Sequence, residues 1–363
     1  MTQTPAASPE RDQIKADTEP LRPISERLTA PPRIAAPVAL HGLTWRELRH
    51  SDLTALLEFE RAVDEADDPD ASTDAEDLEE RFDTPGFTPA TDTIIALTPG
   101  GAIVAYGEAY LEASGEGIVT AHINGRVHPE WRRKGLGTQL LRWQAQRGTQ
   151  QLAASPLQLP AMMSTLVGEH AAGQRALFEA EGFRPARWWI EMERDLEEAV
   201  PAPALAPGLR VEPFTSQWSG QARLAINESF RDHWGSQPTS HDEWDDAKQA
   251  DDFRASWSAV AIATHADGTE EVVGAITVEG DEDEWESYGY RFGNVDELGV
   301  TRAWRGRGIA SALLSSAMRA MRADGVERAT LDVDSDSPTG ANALYAKLGF
   351  AETGRSVTYA KTF

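Results

Sequence analysis

Apolar residues recur along this 363-residue chain in two rhythms, one of period two and one near 3.6. The order of those rhythms is the same in two successive halves. The first half opens on LTWRELRHSDLTALLEFERAV. That pattern predicts a strand, then a helix capped by Ser51 or Asp52, with Leu53, Leu56, Leu57, Glu60 and Val63 along one largely apolar face. LRVEPFTSQWSGQARLAINESF opens the second half in the same way. Alternating runs follow, TIIAL and AIVAYGEAYL in one half, SAVAIAT and EVVGAITVEG in the other, and predict strands. In the second half Ile309, Leu313, Leu314, Ala317, Met318 and Met321 then repeat at helical spacing, with Gly325 as the stop. ATLDV predicts a strand. DSPTGANALYAKLGF predicts a helix capped by Asp336 or Ser337, with Pro338 in its first turn and Gly349 at its end. A final strand follows. Each half is thus expected to be α+β: strands, helix, strand, helix, strand.

Three segments interrupt the pattern. EEAVPAPALAPG, residues 197–208, is proline-stiffened and cannot continue a helix. It divides the chain into an N-terminal domain over 41–198, a linker over 199–206 and a C-terminal domain over 207–363. Residues 1–40 carry prolines at 5, 9, 20, 23, 31, 32 and 37 and no sustained period. They predict a tail that is flexible or drapes over a domain. The acidic stretches DEADDPDASTDAEDLEE, 64–80, and GDEDEWES, 280–287, predict a solvated loop with a helix and a solvated hairpin.

Composition narrows the function. No run of about 18 apolar residues is present, so no membrane span is expected. The N-terminus lacks the basic start and apolar segment of a secretory signal, so a cytoplasmic location is expected. The absence of cysteine excludes disulfides, thiolate nucleophiles and cysteine-based metal sites. A formal net charge of −25 repels a nucleic acid backbone and favours cationic partners such as amines. An acidic surface serving solubility alone is the competing reading.

Both halves carry one loop. GVTRAWRGRGIASALL, residues 299–314, and RVHPEWRRKGLGTQLL, residues 126–141, share a layout in which Arg305, Gly308 and Ala310 each lie 173 positions after Arg132, Gly135 and Gly137. Backbone N–H groups at a helix start have no internal partner, and the helix dipole adds positive charge there. Small residues admit a close ligand. The combination predicts an anion site suited to a pyrophosphate, with charge from Arg305 and Arg307, or from Arg132, Arg133 and Lys134. Neither a Walker loop nor a full G-x-G-x-x-G fingerprint is present.

R-x-x-G-x-G/A between a strand and a helix resembles the acyl-CoA loop of the GNAT N-acetyltransferases, and LYAKLGF resembles their common ending. With the pattern in both halves, the chain resembles a tandem GNAT, covering about 41–363 and closest over 294–351. Its layout is similar to that of the two-domain mycothiol synthases. The resemblance implies a mixed, mostly antiparallel sheet flanked by helices in each domain. It implies acetyl-CoA held in a splay between two central strands. The backbone at Leu298 and Val300 would meet the thioester and pantetheine. Arg305, Gly306, Arg307, Gly308, Ile309 and Ala310 would hold the pyrophosphate, and Asn342 the cofactor arm. Val127, Arg132, Arg133, Lys134, Gly135, Leu136 and Gly137 are their counterparts in the first half.

The resemblance also implies a proton donor and a base. Tyr345 stands where many GNATs keep a tyrosine that protonates the departing thiolate; the first half has Phe178, which cannot donate. Asp296, four residues before Val300, is the candidate base. Asn294, six before, is no base, and strand alternation assigns Glu297 to the opposite face. Ile123 and Ala121 occupy the matching positions of the first half. The second half is thus expected to be catalytic and the first degenerate. The competing readings are a core-packed Tyr345 and an Asp296 ion-paired with a nearby arginine. NESFRDHWGSQPTSHDEW, 227–244, is expected to wall the acceptor site, with His233 and Trp234 holding an amine. Alternatively, Trp234 closes the core and His233 caps the helix. His233 and His241 give only a weak metal hint, and no metal is assigned.

The expected activity is direct transfer of an acetyl group to the primary amine of a small molecule, by a monomer or homodimer that binds neither nucleic acid nor membrane. The alternatives are acetylation of a cysteinyl amine as in mycothiol synthesis, acetylation of a protein N-terminus, and a non-catalytic acyl-CoA sensor. The mycothiol synthases keep their base nearer the Asn294 position.

Overall fold

The computed structural model describes residues 21–67, 73, 75–83, 86–112, 117–231, 233–337 and 340–363. The strands of this region are β1 (Thr44–Arg46), β2 (Thr93–Leu97), β3 (Ile103–Leu111), β4 (Val119–Val127), β5 (Ala161–Gly168), β6 (Arg184–Asp195), β7 (Leu209–Pro213), β8 (Ala259–Thr264), β9 (Glu270–Glu279), β10 (Phe292–Val300), β11 (Arg328–Asp334) and β12 (Ala351–Thr362). They form one sheet in the order β1-β2-β3-β4-β5-β12-β6-β11-β10-β9-β8-β7. Only β4–β5 and β10–β11 are parallel. The rest of the mixed sheet is antiparallel.

The order is a near palindrome, and its centre carries the main departure from a linear reading. Each half gives up its last strand to the other. β6 precedes the linker yet pairs with β11, over Arg328–Asp195 to Asp334–Trp189. β12 ends the chain yet pairs with β5, over Ser356–Gly168 to Thr362–Met162. Segments cut at the linker would each leave behind a strand of their own sheet.

The exchanged strands also support helices. Arg194 of β6 donates to Leu348 O at the end of the helix Ala341–Lys347. Tyr359 of β12 donates to Glu179 at 2.7 Å and stacks on Phe178 in the helix Ala172–Ala180. Helices Leu136–Ala153 and Ile309–Ala323 bury their apolar stripes in two of the larger cores. Helices Leu53–Asp67 and Ser216–Phe230 pack on other clusters of the sheet.

Several predicted ends shift. The helix Leu53–Asp67 follows a short 3-10 turn, and the Asp52 carboxylate accepts the Arg49 N–H at 2.9 Å. The helix holding Tyr345 starts at Ala341, later than predicted. Gly340, at φ +73°, caps it in place of Asp336 or Ser337. Asp334 explains the delay: its carboxylate takes the Asp336 N–H at 2.9 Å and its carbonyl the Ser337 N–H at 3.0 Å, which makes a turn there. Pro338 lies outside the described residues. GDEDEWES forms a helix over Glu282–Tyr288 where a hairpin was predicted. Trp285 anchors it, donating to Phe292 O at 2.8 Å and stacking on Trp257. The acidic stretch after Asp64 ends in the helix Ala75–Asp83, with 68–72 outside the described residues.

Residues 1–20 of the tail also lie outside the described residues. The remainder runs along the helix Leu136–Ala153. Ile24 is buried and bonds Leu157 O, Gln150 donates to Pro31 O, and His41 Nε2 stands 3.3 Å from Lys134 O.

Candidate active site

Strands β10 and β11 pair over three positions only, Phe292–Arg328, Gly293–Ala329 and Asn294–Thr330. Beyond them β10 runs on to Val300 and β11 to Asp334 with no shared ladder. The sheet forks there, and Leu298 and Val300 lie on the open edge. On its other edge β10 stays bonded to β9, with Leu298 opposite Ile276 and Val300 opposite Gly274. β4 and β5 fork in the same way after His122–Ser164.

Past Val300 the chain makes a 3-10 turn, Arg302–Trp304, and enters the helix Ile309–Ala323 through Gly308 at φ +78°. The Ala312 N–H bonds Gly308 O, so the N–H groups ahead of it have no helical acceptor. A Cβ on Gly306 or Gly308 would meet nothing within 4 Å, so both face open space. The Ile309 side chain is buried, which leaves this residue its backbone for a ligand; Leu136 is buried likewise.

The first loop repeats the geometry. Gly135 has φ +85°, and Arg133 takes φ +61° where the second loop has Gly306 at +74°. Arg305 and Arg132 depart from expectation. Arg305 Nε donates to Val300 O at 3.1 Å and Nη2 to Ser229 O at 2.8 Å. Arg132 Nε donates to Val127 O at 3.0 Å and its fork grips Asp67 at 2.7 and 2.8 Å. Each guanidinium satisfies a strand-end carbonyl and so shapes the loop. Arg307 and Lys134 lie over Trp304 and Trp131, at 4.5 and 4.6 Å from the ring centres.

A β-bulge decides which carboxylate faces which way. Between Val295, opposite Val278, and Glu297, opposite Thr277, β10 holds the extra residue Asp296. Before the bulge, Gly293 packs under Met321 of the helix Ile309–Ala323. After it, Gly299 packs against Ser229 and Ile226 of the helix Ser216–Phe230. The expected alternation between Asp296 and Glu297 therefore fails, because the extra residue resets the pleat. Asp296 accepts from Thr277 Oγ1 at 3.0 Å, on the side where Thr277 and Glu297 pair, and lies 3.5 Å from Lys248 Nζ. Asp296 is thus ion-paired, with a lysine as partner.

Glu297 is half-buried, and its carboxyl is pushed up to about 7 by burial and by the Asp296 charge, against the pull of Lys248. Glu279, opposite Asn294, is also pushed up to about 7, by burial and by the charges of Asp296 and Asp252. Sequence reading missed this pair. The doublet Asp296–Glu297 and the acid ending EVVGAITVEG were visible signals, but only the bulge brings them to one face.

Tyr345 is buried, 8% exposed, and tilted against Phe350. Burial pushes its hydroxyl up to about 12. It belongs to the core cluster, with Leu348 and Phe350 as neighbours in that cluster. Among the described residues nothing bonds its hydroxyl. Asn342, one turn earlier, donates to Ser335 O at 3.1 Å, while its buried Oδ1 has no partner among the described residues.

His233 is half-buried; its N–H bonds Phe230 O and its ring lies 4.6 Å from Phe230. Trp234 is half-buried in a turn and does not close the core. His241 pairs with Asp245 at 3.1 Å. Gln237 donates to Ile118 O at 3.2 Å, which brings this loop against the β3–β4 connection of the first half. Among the described residues no group of three or more acids and histidines is arranged to hold a metal, and no helix is long and apolar enough to cross a membrane.

The pattern of the acetyltransferase (GNAT) family matches the chain twice, at residues 53–172 and 224–350. A mycothiol acetyltransferase of Salinispora arenicola is 30% identical over 257 residues, 69% of this chain and 74% of the relative. One from Salinispora tropica is 28% identical over 276 residues, 74% of this chain and 81% of the relative. The crystal structure of a GCN5-related N-acetyltransferase from Sphaerobacter thermophilus superposes with a TM-score of 0.70 at 24% identity, covering 92% of this chain and 97% of that one.

Proposed function

The chain belongs to the GNAT family of acetyltransferases, which use acetyl-CoA, and from this premise we propose that its second half acetylates the primary amine of a small molecule. One observation carries the reading. A half-buried carboxylate pair of near-neutral proton affinity, Glu279 and Glu297, stands beside the fork of β10 and β11.

The residues present fit acetyl-CoA. The open cradle at Gly306 and Gly308 suits a pyrophosphate, and the orphaned Asn342 Oδ1 suits an amide N–H of the pantetheine arm. Leu298 and Val300 would flank that arm. Gly135 and its neighbours form a second cradle in the first half. Bound acetyl-CoA supplies an activated acyl carbon.

The chain's own groups manage protons. An amine acceptor arrives mostly as an ammonium, and only its neutral form attacks. Glu297, ionised above about pH 7, takes a proton at its carboxylate. Tyr345 keeps its hydroxyl proton at neutral pH and holds it ready for the leaving sulfur. Asp296, engaged by Lys248 and Thr277, supports the base. The segments 41–198 and 207–363 are then a supporting unit and a catalytic unit, joined by the linker and the exchanged strands. His233 and Trp234, on the loop after helix Ser216–Phe230, are the proposed acceptor contacts.

The mycothiol acetyltransferase relatives favour one narrower reading, in which the acceptor is the cysteinyl amine of a mycothiol precursor. The resemblance implies a base nearer position 294, and Asn294 there weighs against this reading. The test is free coenzyme A release from acetyl-CoA across polyamines, aminoglycosides, amino acids, peptides and that precursor. Release with one acceptor class, abolished in Tyr345→Phe, supports the reading and selects the substrate. Acetyl-CoA binding without release to any amine would point to a sensor.

A further inference from the structure

A bulge residue has no ladder partner, so something else must hold it. Two side chains, Lys248 and Thr277, do so for Asp296. Lys248, just past the helix His241–Ala247, reaches Asp296 Oδ2 at 3.5 Å. Thr277 Oγ1 of β9 donates to the same oxygen at 3.0 Å and accepts the Glu297 N–H at 3.2 Å. Thr277 is fully buried. The Lys248 side chain is 8% exposed, and its ammonium lies 4.8 Å from the Trp244 ring and 4.7 Å from Phe253. A lysine so enclosed loses the hydration an ammonium prefers, which ties it to the carboxylate in front of it.

We propose that Lys248 is a positioning residue for the base: docked on Asp296, it locks the bulge that turns Glu297 onto the reaction face and sets a positive charge beside the Glu279–Glu297 pair. The inference rests on the reading of Glu297 as base. The charged groups acting on Glu297 are Asp296 on its own strand, Glu279 on β9 and Lys248 from the helix side; Asp252 acts on Glu279. Removing Lys248 takes away the one cation among them. Removing the Asp296 charge takes away the nearest repelling anion. The two changes therefore act on Glu297 in opposite directions. Simple loosening of the fold would not produce opposite signs.

The experiment follows the glutamate carboxyl resonances of the full-length protein, carbon-13 labelled, during a pH titration, with Glu297→Gln used to assign the signal. Lys248→Met keeps an unbranched side chain between the two rings. It is expected to raise the Glu297 midpoint by about half to one pH unit, while Asp296→Asn, whose amide oxygen still accepts from Thr277, lowers it by a similar amount. Lys248→Arg restores the wild-type midpoint. With the best amine of the release panel, the acid limb of kcat/KM moves the same ways, and the KM for acetyl-CoA stays within about twofold as a check of folding. Midpoints that move in the same direction in Lys248→Met and Asp296→Asn, or not at all, overturn the proposal. Full turnover in Glu297→Gln overturns the reading of the base instead, and the titration separates the two failures.

Discussion

At the first fork the polar groups are bonded to one another. Arg126 holds Glu60 at 2.8 Å and also Asp64, and Glu108 takes bonds from Tyr106 and Asn124 with Arg81 at 3.6 Å. At the second fork the strand carries a bulge that its counterpart lacks, and Glu297 stands in the place of Asn124, three before the strand-end valine. The contrast continues in the short helix. Aligning ALFEAEGF with ALYAKLGF sets Phe178 against Tyr345 and Arg175 against Asn342. Arg175 donates to Glu169 O and lies over Trp188, whereas Asn342 keeps a buried oxygen with no partner among the described residues. The halves thus share one scaffold with opposite treatment of its polar groups. In a closed ion-pair network each buried charge has a partner, so none is left uncompensated. A proton acceptor of near-neutral affinity requires an incompletely matched charge, so a chain with two copies can assign one task to each.

The largest expected effect tests the acid. Tyr345→Phe should lower kcat by about 10²–10⁴-fold, while Phe178→Tyr leaves it unchanged. Steady-state release of coenzyme A reads both, and the reverse pattern would make the first half the catalytic one.

The base comes next. Glu297→Gln should cost about 10²-fold in kcat, and Asn124→Glu should add nothing. In the wild type kcat/KM should rise with pH through about 7, because the carboxylate must be ionised to accept a proton. The variant should lose that limb. The same shift acts on stability. A carboxyl raised from 4.5 to about 7 binds its proton more tightly when folded, so its contribution is present at low pH and lost as pH rises through that window. Denaturant unfolding at pH 5 and pH 8 checks the sign.

A smaller effect sharpens the cofactor side. Asn342→Ala should raise the KM for acetyl-CoA about tenfold with little change in kcat, and Arg175→Ala should leave it alone. Equal effects at both positions would show that both cradles serve turnover.

The smallest effect probes the exchanged strands. Tyr359→Phe removes the bond to Glu179 and should cost about 1 kcal/mol of stability without changing kcat. Calorimetry should record a single transition, since β6 and β12 tie each half to the other.

Much of this was legible in the residues. Paired loops, alternating strands and the helix Ile309–Ala323 are local patterns, and local sterics and burial decide them. Gly308 before a helical run announces its own left-handed turn, and Tyr345 against Phe178 is read by alignment alone. Other features depend on partners distant in the chain. The bulge is defined only against β9, so the assignment of Asp296 and Glu297 to opposite faces had no means of correction from β10 itself. Arg305 is offered to a phosphate by its motif, but the fold brings the carbonyls of Val300 and Ser229 within its reach. Lys248 carried no motif at all. The residues by themselves determined the repeat, most of the elements and the family, because these rest on short-range periodicity and conformational preference. Tertiary structure alone decided the strand exchange, the facing of the carboxylates and their proton affinity, because pairing register and burial are properties of contacts between segments far apart in the chain.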